Sequence, residues 1–436
     1  MANTSLTRTM GTPTSRKKFT ISVWLKRSAI SLSNAQHIWN GYYSADNRLV
    51  IYFQNGANDA LGFYNVAGGS ATANLQTNRQ FRDVNGWYHI YYAVDTTQST
   101  ASDRIKLYVN GQQETSFSTA TYPSQDVNLT FANGYTNLIG NYGGSSNFFD
   151  GLMSHFYYVD GSVIAHTEFG STDSTTGEWK INTNPTIASY GTNGFLILKD
   201  GNSVTDQSGN SNNFTVAGGT LTKTEDCPSN NFATLNSLAI FPGNSGPVLE
   251  NGSTTLTTTA ANNNKALFLS SLGMTQGSGK FYCEIKIPTV ERFSAGVCNK
   301  NVFLSSSAPD SQTNQAAITY YYDGSIYYDN SQTVSGGVSL SNNDILGIAL
   351  DMDNNRLFFH KNGTYINSGD PTSSTGNVAS FTNASQYLTD HEEMFFFVAD
   401  LSTSGKAKSQ VNFGNGYFGT TAVSSAGTNA SNIGIF

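Results

Sequence analysis

Between Asn342 and Ile366 the chain reads NNDILGIALDMDNNRLFFHKNGTYI, with apolar side chains at Leu346, Ile348, Leu350 and Met352 and again at Leu357 and Phe359. A period of two places these residues on one face of a strand. The break at Asp353-Asn354-Asn355 and the dipeptide Asn362-Gly363, which tolerates positive φ at both central positions, predict a three-stranded meander closed by a type I′ turn. Asp351 and Asp353 read as turn formers rather than as a cation pair.

The same pattern runs through the chain. Apolar segments are short, alternating, rich in aromatic and β-branched residues, and bounded by Gly, Asn, Asp or Ser, which predicts strands throughout. The best helical stretch is Ile164 to Phe169. The pattern divides into two blocks, Phe19 to about Val216 and Ala266 to Phe418, separated by a polar stretch with Pro228, Pro242 and Pro247. The expected fold class is all-β: two antiparallel β-sandwich (jelly-roll) domains in tandem. The expected bounds are 1–217 for the first sandwich, 218–256 for a linker or strap, 257–418 for the second, and 419–436 for a polar tail.

Length agrees, because 436 residues exceed one ordinary core. Only 12% of residues are charged, so the surface is wetted by Asn, Ser, Thr and Gly and depends little on ion pairs that salt would screen. A net charge of −7 argues against nucleic-acid binding, which draws its affinity from Lys and Arg on phosphates. Arg16-Lys17-Lys18 is the one basic cluster and reads as a solvated approach to the first long strand. Three cysteines, Cys227, Cys283 and Cys298, support neither a disulfide framework nor a zinc site, and the latter two read as small buried hydrophobes. The sequence shows no secretion signal and no apolar run long enough for a membrane span, so a protein made in the cytoplasm without membrane insertion is expected.

The first block contains FTISVWLKR at 19–27, GWYHIYYAVD at 86–95, RIKLYVNGQQ at 104–113 and DGLMSHFYYVDG at 150–161. In that order these segments resemble the laminin-G or concanavalin-A-like jelly roll. Within them Ile21, Val23 and Leu25 face one way and Trp24 the other, and Asn110-Gly111 repeats the I′ signal. The second block, with SGKFYCEIKI at 278–287, SAGVCN at 294–299, residues 343–363, MFFFVADL at 394–401 and SQVNFGNGYF at 409–418, resembles a SPRY domain. The strap DCPSNNFATLNSL at 226–238, with DQSGNSNNFTV at 206–216, resembles joining segments in virion structural proteins of tailed bacteriophages, marine ones in particular. That resemblance implies a virion protein, a receptor-binding fibre tip or a head or tail decoration. It implies other virion proteins and host-surface carbohydrate as partners, and a homo-oligomer for which the analogy suggests a trimer.

Sugar hydrolases and lyases occur on such jelly rolls, but the motifs they need are missing. There is no E-x-D-x-x-E run of alternating carboxylates, no H-E-x-x-H and no G-x-S-x-G elbow. His89 and His155 sit inside alternating segments and read as structural, and His391-Glu392-Glu393 reads as a solvated cluster. No catalytic residue is assigned; a polysaccharide depolymerase is the competing expectation. No cofactor is expected apart from calcium, since the laminin-G resemblance implies a rim site to which Asp150, Asp160 and Asp173 would contribute oxygens. For carbohydrate, the richest aromatic patch is ITYYYDGSIYYDN at 318–330, making Tyr320, Tyr321, Tyr322, Tyr327 and Tyr328 the candidate binding residues. Alternation sets Tyr320 and Tyr322 opposite Tyr321, so at least one of these faces belongs to core.

Overall fold

In the strand Lys18–Arg27 the alternation works as the sequence predicts. Ile21, Val23 and Leu25 are buried in the main core, while Trp24 turns to the other face. The computed structural model describes residues 3–130, 134–143, 146–199, 203–239, 248–258, 266–299, 317–328, 331–334, 337–380, 393–400 and 407–436. These divide into two units, Met1–Asn231 and Phe232–Phe436.

In the first unit an eight-stranded sheet runs in the order Phe117–Thr121, Ser70–Gln80, Ala60–Ala67, Asn47–Phe53, Gln36–Ser44, Thr136–Ile139, Ser5–Thr9, Thr215–Gly218. A six-stranded sheet runs Phe195–Ile197, Gly151–Asp160, Lys18–Arg27, Tyr88–Asp95, Ile105–Val109, Gln112–Glu114. The ladders are antiparallel. Their facing sides supply one core, in which Trp39 meets Phe156, Tyr158 and Phe195 edge-on at 5.0–5.5 Å. Asn110 and Gly111 have φ of 48° and 76°, the positive pair a I′ turn requires.

The second unit repeats the architecture. One sheet carries Lys280–Thr289, Ile345–Asp351 and Arg356–Lys361 at its centre, the other Met394–Asp400, Phe293–Asn299 and Ala317–Tyr321. Leu346, Ile348, Leu350, Met352, Leu357 and Phe359 all lie in its core, and Asn362 and Gly363 take φ of 48° and 84°. Asp351 is a turn former: one oxygen accepts the N–H groups of Asp353 (3.1 Å) and Asn354 (3.0 Å). Desolvation, the largest single influence on its carboxyl, pushes it up, but bonds from Ser374, from the side chain and N–H of Asn354 and from Lys280 hold it well below the usual range.

Three sequence expectations change in detail. The helical candidate Ile164 to Phe169 is a single 3₁₀ turn, His166–Glu168, and no α-helix occurs among the described residues. The stretch 218–256 is shared between the units: residues to Asn231 belong to the first, and Val248–Glu250 and Thr255–Thr257 extend a sheet of the second. The polar tail packs onto the second unit, where Asn412 Nδ2 donates to the carbonyl of Ile435 (2.8 Å) and the Phe436 ring lies 4.9 Å from Tyr282. Pro242, Pro247, His391 and Glu392 lie outside the described residues.

Candidate functional site

The outward face of the six-stranded sheet in the first unit carries a cleft of about 430 Å³ lined by Trp24, Trp87 and Trp179, with Arg79, Gln112 and Glu178 among the polar groups. Each indole arrives by a different route. Trp24 is there because the alternation of Lys18–Arg27 leaves it on the side away from the core. Trp87 follows a turn in which Asp83 accepts the N–H groups of Asn85 (2.8 Å) and Gly86 (3.2 Å). Trp179 sits on the small hairpin Gly170–Thr172 with Trp179–Ile181. The turn of that hairpin is built on Asp173, which accepts from the N–H groups of Thr175 and Thr176 (2.9 and 2.8 Å) and pairs with Lys180 at 2.8 Å.

Two glycines make room for the Trp179 indole. A Cβ on Gly111 would stand 2.3 Å from Trp179 Cε3, and one on Gly170 would stand 2.7 Å from Cε2. The I′ glycine therefore serves both the hairpin and the cleft.

Beneath the indoles lies a polar layer with fixed proton positions. Trp179 Nε1–H donates to His89 Nδ1 (3.0 Å), so that nitrogen is an acceptor, and Nε2, 2.8 Å from Ser22 Oγ, carries the proton. Complete burial pushes the His89 imidazole down to about 3, with His166 adding a smaller push in the same direction. The ring is thus neutral at ordinary pH and serves as a support, stacked on Trp24 at 4.9 Å. Trp87 Nε1–H donates to Asp226 (2.9 Å), whose other oxygen pairs with the buried ammonium of Lys26 at 2.8 Å. Lys26 also donates to Asn231 Oδ1 (2.7 Å), and Asn231 donates to the carbonyl of Asn85 (2.8 Å). The segment 226–231 is by these bonds a wall of the cleft.

Chemically the site offers aromatic faces and amide hydrogen-bonding groups beside the charged side chains of Arg79 and Glu178. Glu178 is the one carboxylate in the lining, so no pair of carboxylates brackets a bond there. Flat indole faces beside amide donors and acceptors suit the apolar face and hydroxyls of a sugar ring.

The residues singled out from sequence lie elsewhere. Asp150 and Asp160 stand at opposite ends of the strand Gly151–Asp160, about 30 Å of chain apart. The Asp160 carboxylate accepts from the N–H groups of Thr14, Ser15 and Asn193 (2.7–3.1 Å), and Asp173 organises its own turn, so the structure does not bring the three together. Among the described residues no group of three or more His, Cys, Asp or Glu side chains is placed to hold a metal ion. Of the tyrosines, Tyr320 is in the core of the second unit, its hydroxyl donating to the carbonyl of Val338 (2.6 Å). Tyr321 is buried on the opposite face against Tyr327, and Tyr322, Tyr327 and Tyr328 are half-buried. Both faces of this patch are packed. Arg16 donates to the carbonyl of Leu129 (2.8 Å), while Lys17 and Lys18 pair with Asp126 and Asp95, so the basic cluster is internally compensated. Cys283 and Cys298 are buried and free.

Sequence reasoning missed Trp87 and Trp179. Their signal was present: all four tryptophans of the chain, Trp24, Trp39, Trp87 and Trp179, precede residue 180, and Trp24 alternates away from the core.

The fold and cleft define a tandem of β-sandwich domains of the carbohydrate- and protein-binding type. Residues 2–167 match the concanavalin A-like lectin/glucanases superfamily (Laminin_G_3), and residues 280–416 match the SPRY domain. A comparison with curated proteins yields no match. Solved structures similar to parts of the chain include the SPRY domain of human HERC1, at 20% identity over 39% of this chain and 96% of that one, with a TM-score of 0.30. Another is the native heptameric SAP-like pentraxin from Limulus polyphemus (16% identity, 38% and 72% coverage, TM-score 0.28). A third is domain 4 of AbnA, a GH43 extracellular arabinanase from Geobacillus stearothermophilus, in complex with arabinotriose (14% identity, 34% and 63% coverage, TM-score 0.25). No helix among the described residues is long and apolar enough to cross a membrane.

Proposed function

We propose that the chain is a non-catalytic glycan-binding protein whose first sandwich holds saccharide in the cleft of Trp24, Trp87 and Trp179. The carrying observation is that cleft: three indoles converge on it, two of them fixed by their N–H groups to buried acceptors. Preorganised aromatic faces lose little entropy on binding. The resemblance of the strap to joining segments of tailed-phage virion proteins supplies the setting proposed for it, a fibre tip or a head or tail decoration. In that setting the protein meets host-surface carbohydrate and neighbouring virion proteins, and repeats by the symmetry of the particle.

The test is incubation with bacterial capsule or lipopolysaccharide. Retention of the protein on the polymer, lost in Trp87→Ala and Trp179→Ala, with polymer length unchanged, supports the reading. Release of new reducing ends overturns it in favour of a depolymerase.

A further inference from the structure

On the opposite sheet of the first unit, Trp39, Ile51, Phe63 and Leu75 face the core, so Asn40, Val50, Tyr52, Tyr64 and Asn74 face outward. Asn40, Val50, Tyr64 and Asn74 are paired in one row across four strands. The Tyr52 ring lies over Gly62, where a Cβ would stand 2.7 Å from Cε1. It runs nearly parallel to His37, at 15° with centroids 5.2 Å apart. Tyr142 leans on His37 at 4.8 Å and meets Tyr42 edge-on at 5.4 Å. It thereby spans the part of the strand Gln36–Ser44 that carries Asn40.

Along this face lie buried polar atoms without a hydrogen-bond partner among the described residues. Asn40 is fully buried, and among the described residues neither its amide nitrogen nor its oxygen has a partner; His37 Nδ1 and Asn74 Oδ1 also have none there. Desolvated amides are ordinarily paired, so their orphaned state points to a polar group supplied from outside the chain. A pyranose offers a flat apolar face to the rings and hydroxyls that both donate and accept.

We propose that this tyrosine-paved face is a second saccharide-contact surface, on the sheet opposite the tryptophan cleft, so that one copy of the sandwich holds two glycan segments at once. The proposal takes its class of ligand from the function proposed above and its location from independent residues.

The test uses the full chain in native gels containing mannan, dextran or xylan, with calorimetric titration by the hexasaccharide of whichever polymer retards it. Two surfaces engaging one polymer raise apparent affinity by about a hundredfold or more over one. Tyr142→Ala and Tyr42→Ala, used separately so that misfolding of one does not decide the matter, are expected to lose about that factor on polymer. They are also expected to lower hexasaccharide stoichiometry from two to one while leaving tryptophan emission native. Trp87→Ala should lower polymer affinity and hexasaccharide stoichiometry in the same way, and its combination with Tyr142→Ala should abolish retardation. Wild-type stoichiometry of one, or unchanged polymer affinity in both tyrosine variants, overturns the second surface, leaving a buried water as the partner of Asn40. Failure of the wild type to be retarded in any gel overturns the second surface, and failure of capsule and lipopolysaccharide to retain it overturns the first as well; loss through Trp87→Ala alone spares the first.

Discussion

Mild acid should loosen the first unit through its buried histidines. An unfolded histidine titrates near 6.5, whereas burial pushes His89 down to about 3 and His37 to about 4. Their depressed folded values mean that the unfolded chain takes up protons first. The stability they contribute is therefore intact above about pH 6.5 and is lost as pH falls below it. At about 1.4 kcal/mol per pH unit, each ring costs about 2 kcal/mol between pH 7 and pH 5. Asp95, held down to about 2 by bonds from Thr97, Gln98 and Lys18 despite the contrary effect of desolvation, contributes almost nothing in that interval. Its loss begins as pH falls through the ordinary carboxylate value near 4.

Urea titrations followed by tryptophan emission isolate the effect, because all four tryptophans lie in the first unit. The wild type should lose about 4 kcal/mol between pH 7 and pH 5 from these two rings, and His89→Gln should remove about half of that loss. A wild-type change below about 1 kcal/mol, or an undiminished change in His89→Gln, would refute the assignment of a neutral, donor-facing imidazole.

Gly111→Ala should cost about 1–2 kcal/mol for its left-handed backbone alone, and it should also weaken glycan retention by pushing Trp179 aside; gel retardation and urea midpoint check the two effects. In the second unit a Cβ on Gly347 would stand 1.8 Å from His360 Nε2, the atom that donates to Tyr282 (2.7 Å), which in turn donates to Glu284 (2.7 Å). Gly347→Ala should thus lower the calorimetric transition of that unit by about 1–3 kcal/mol, in line with overpacking, and leave tryptophan emission unchanged. Asp226→Asn takes the carboxylate from buried Lys26 and should destabilise the first unit by about 3–5 kcal/mol, while the double change Lys26→Met, Asp226→Leu recovers most of it in the same titration.

Much of the fold was legible because strand period and turn chemistry are local. Ile21, Val23 and Leu25 against Trp24, and the two Asn-Gly turns, carry their own instructions over ten residues or fewer. The cleft was not legible, because its parts come from residues 24, 87, 179 and 226, and nothing in their spacing declares that one buried lysine and one histidine will gather them. The tyrosine run at 318–330 misdirects for a related reason. Alternation predicts two faces, but only the second layer of packing behind Tyr321 and Tyr327 decides that both are closed. Asp160 likewise resembles a ligand in sequence, whereas in the fold its oxygens are taken by main-chain donors from two distant loops.

The wall at 226–231 is fastened by side chains, through Lys26, Trp87 and Asn85, and the covalent chain leaves the first unit immediately after it, at Asn231. Mechanical load carried along the backbone from the second unit thus enters the first at the residues that shape the cleft. Under the function proposed above, grip on a tethered sugar chain and tension on the polypeptide would share one set of fastenings, so force spectroscopy on the intact chain should find rupture and release at the same step.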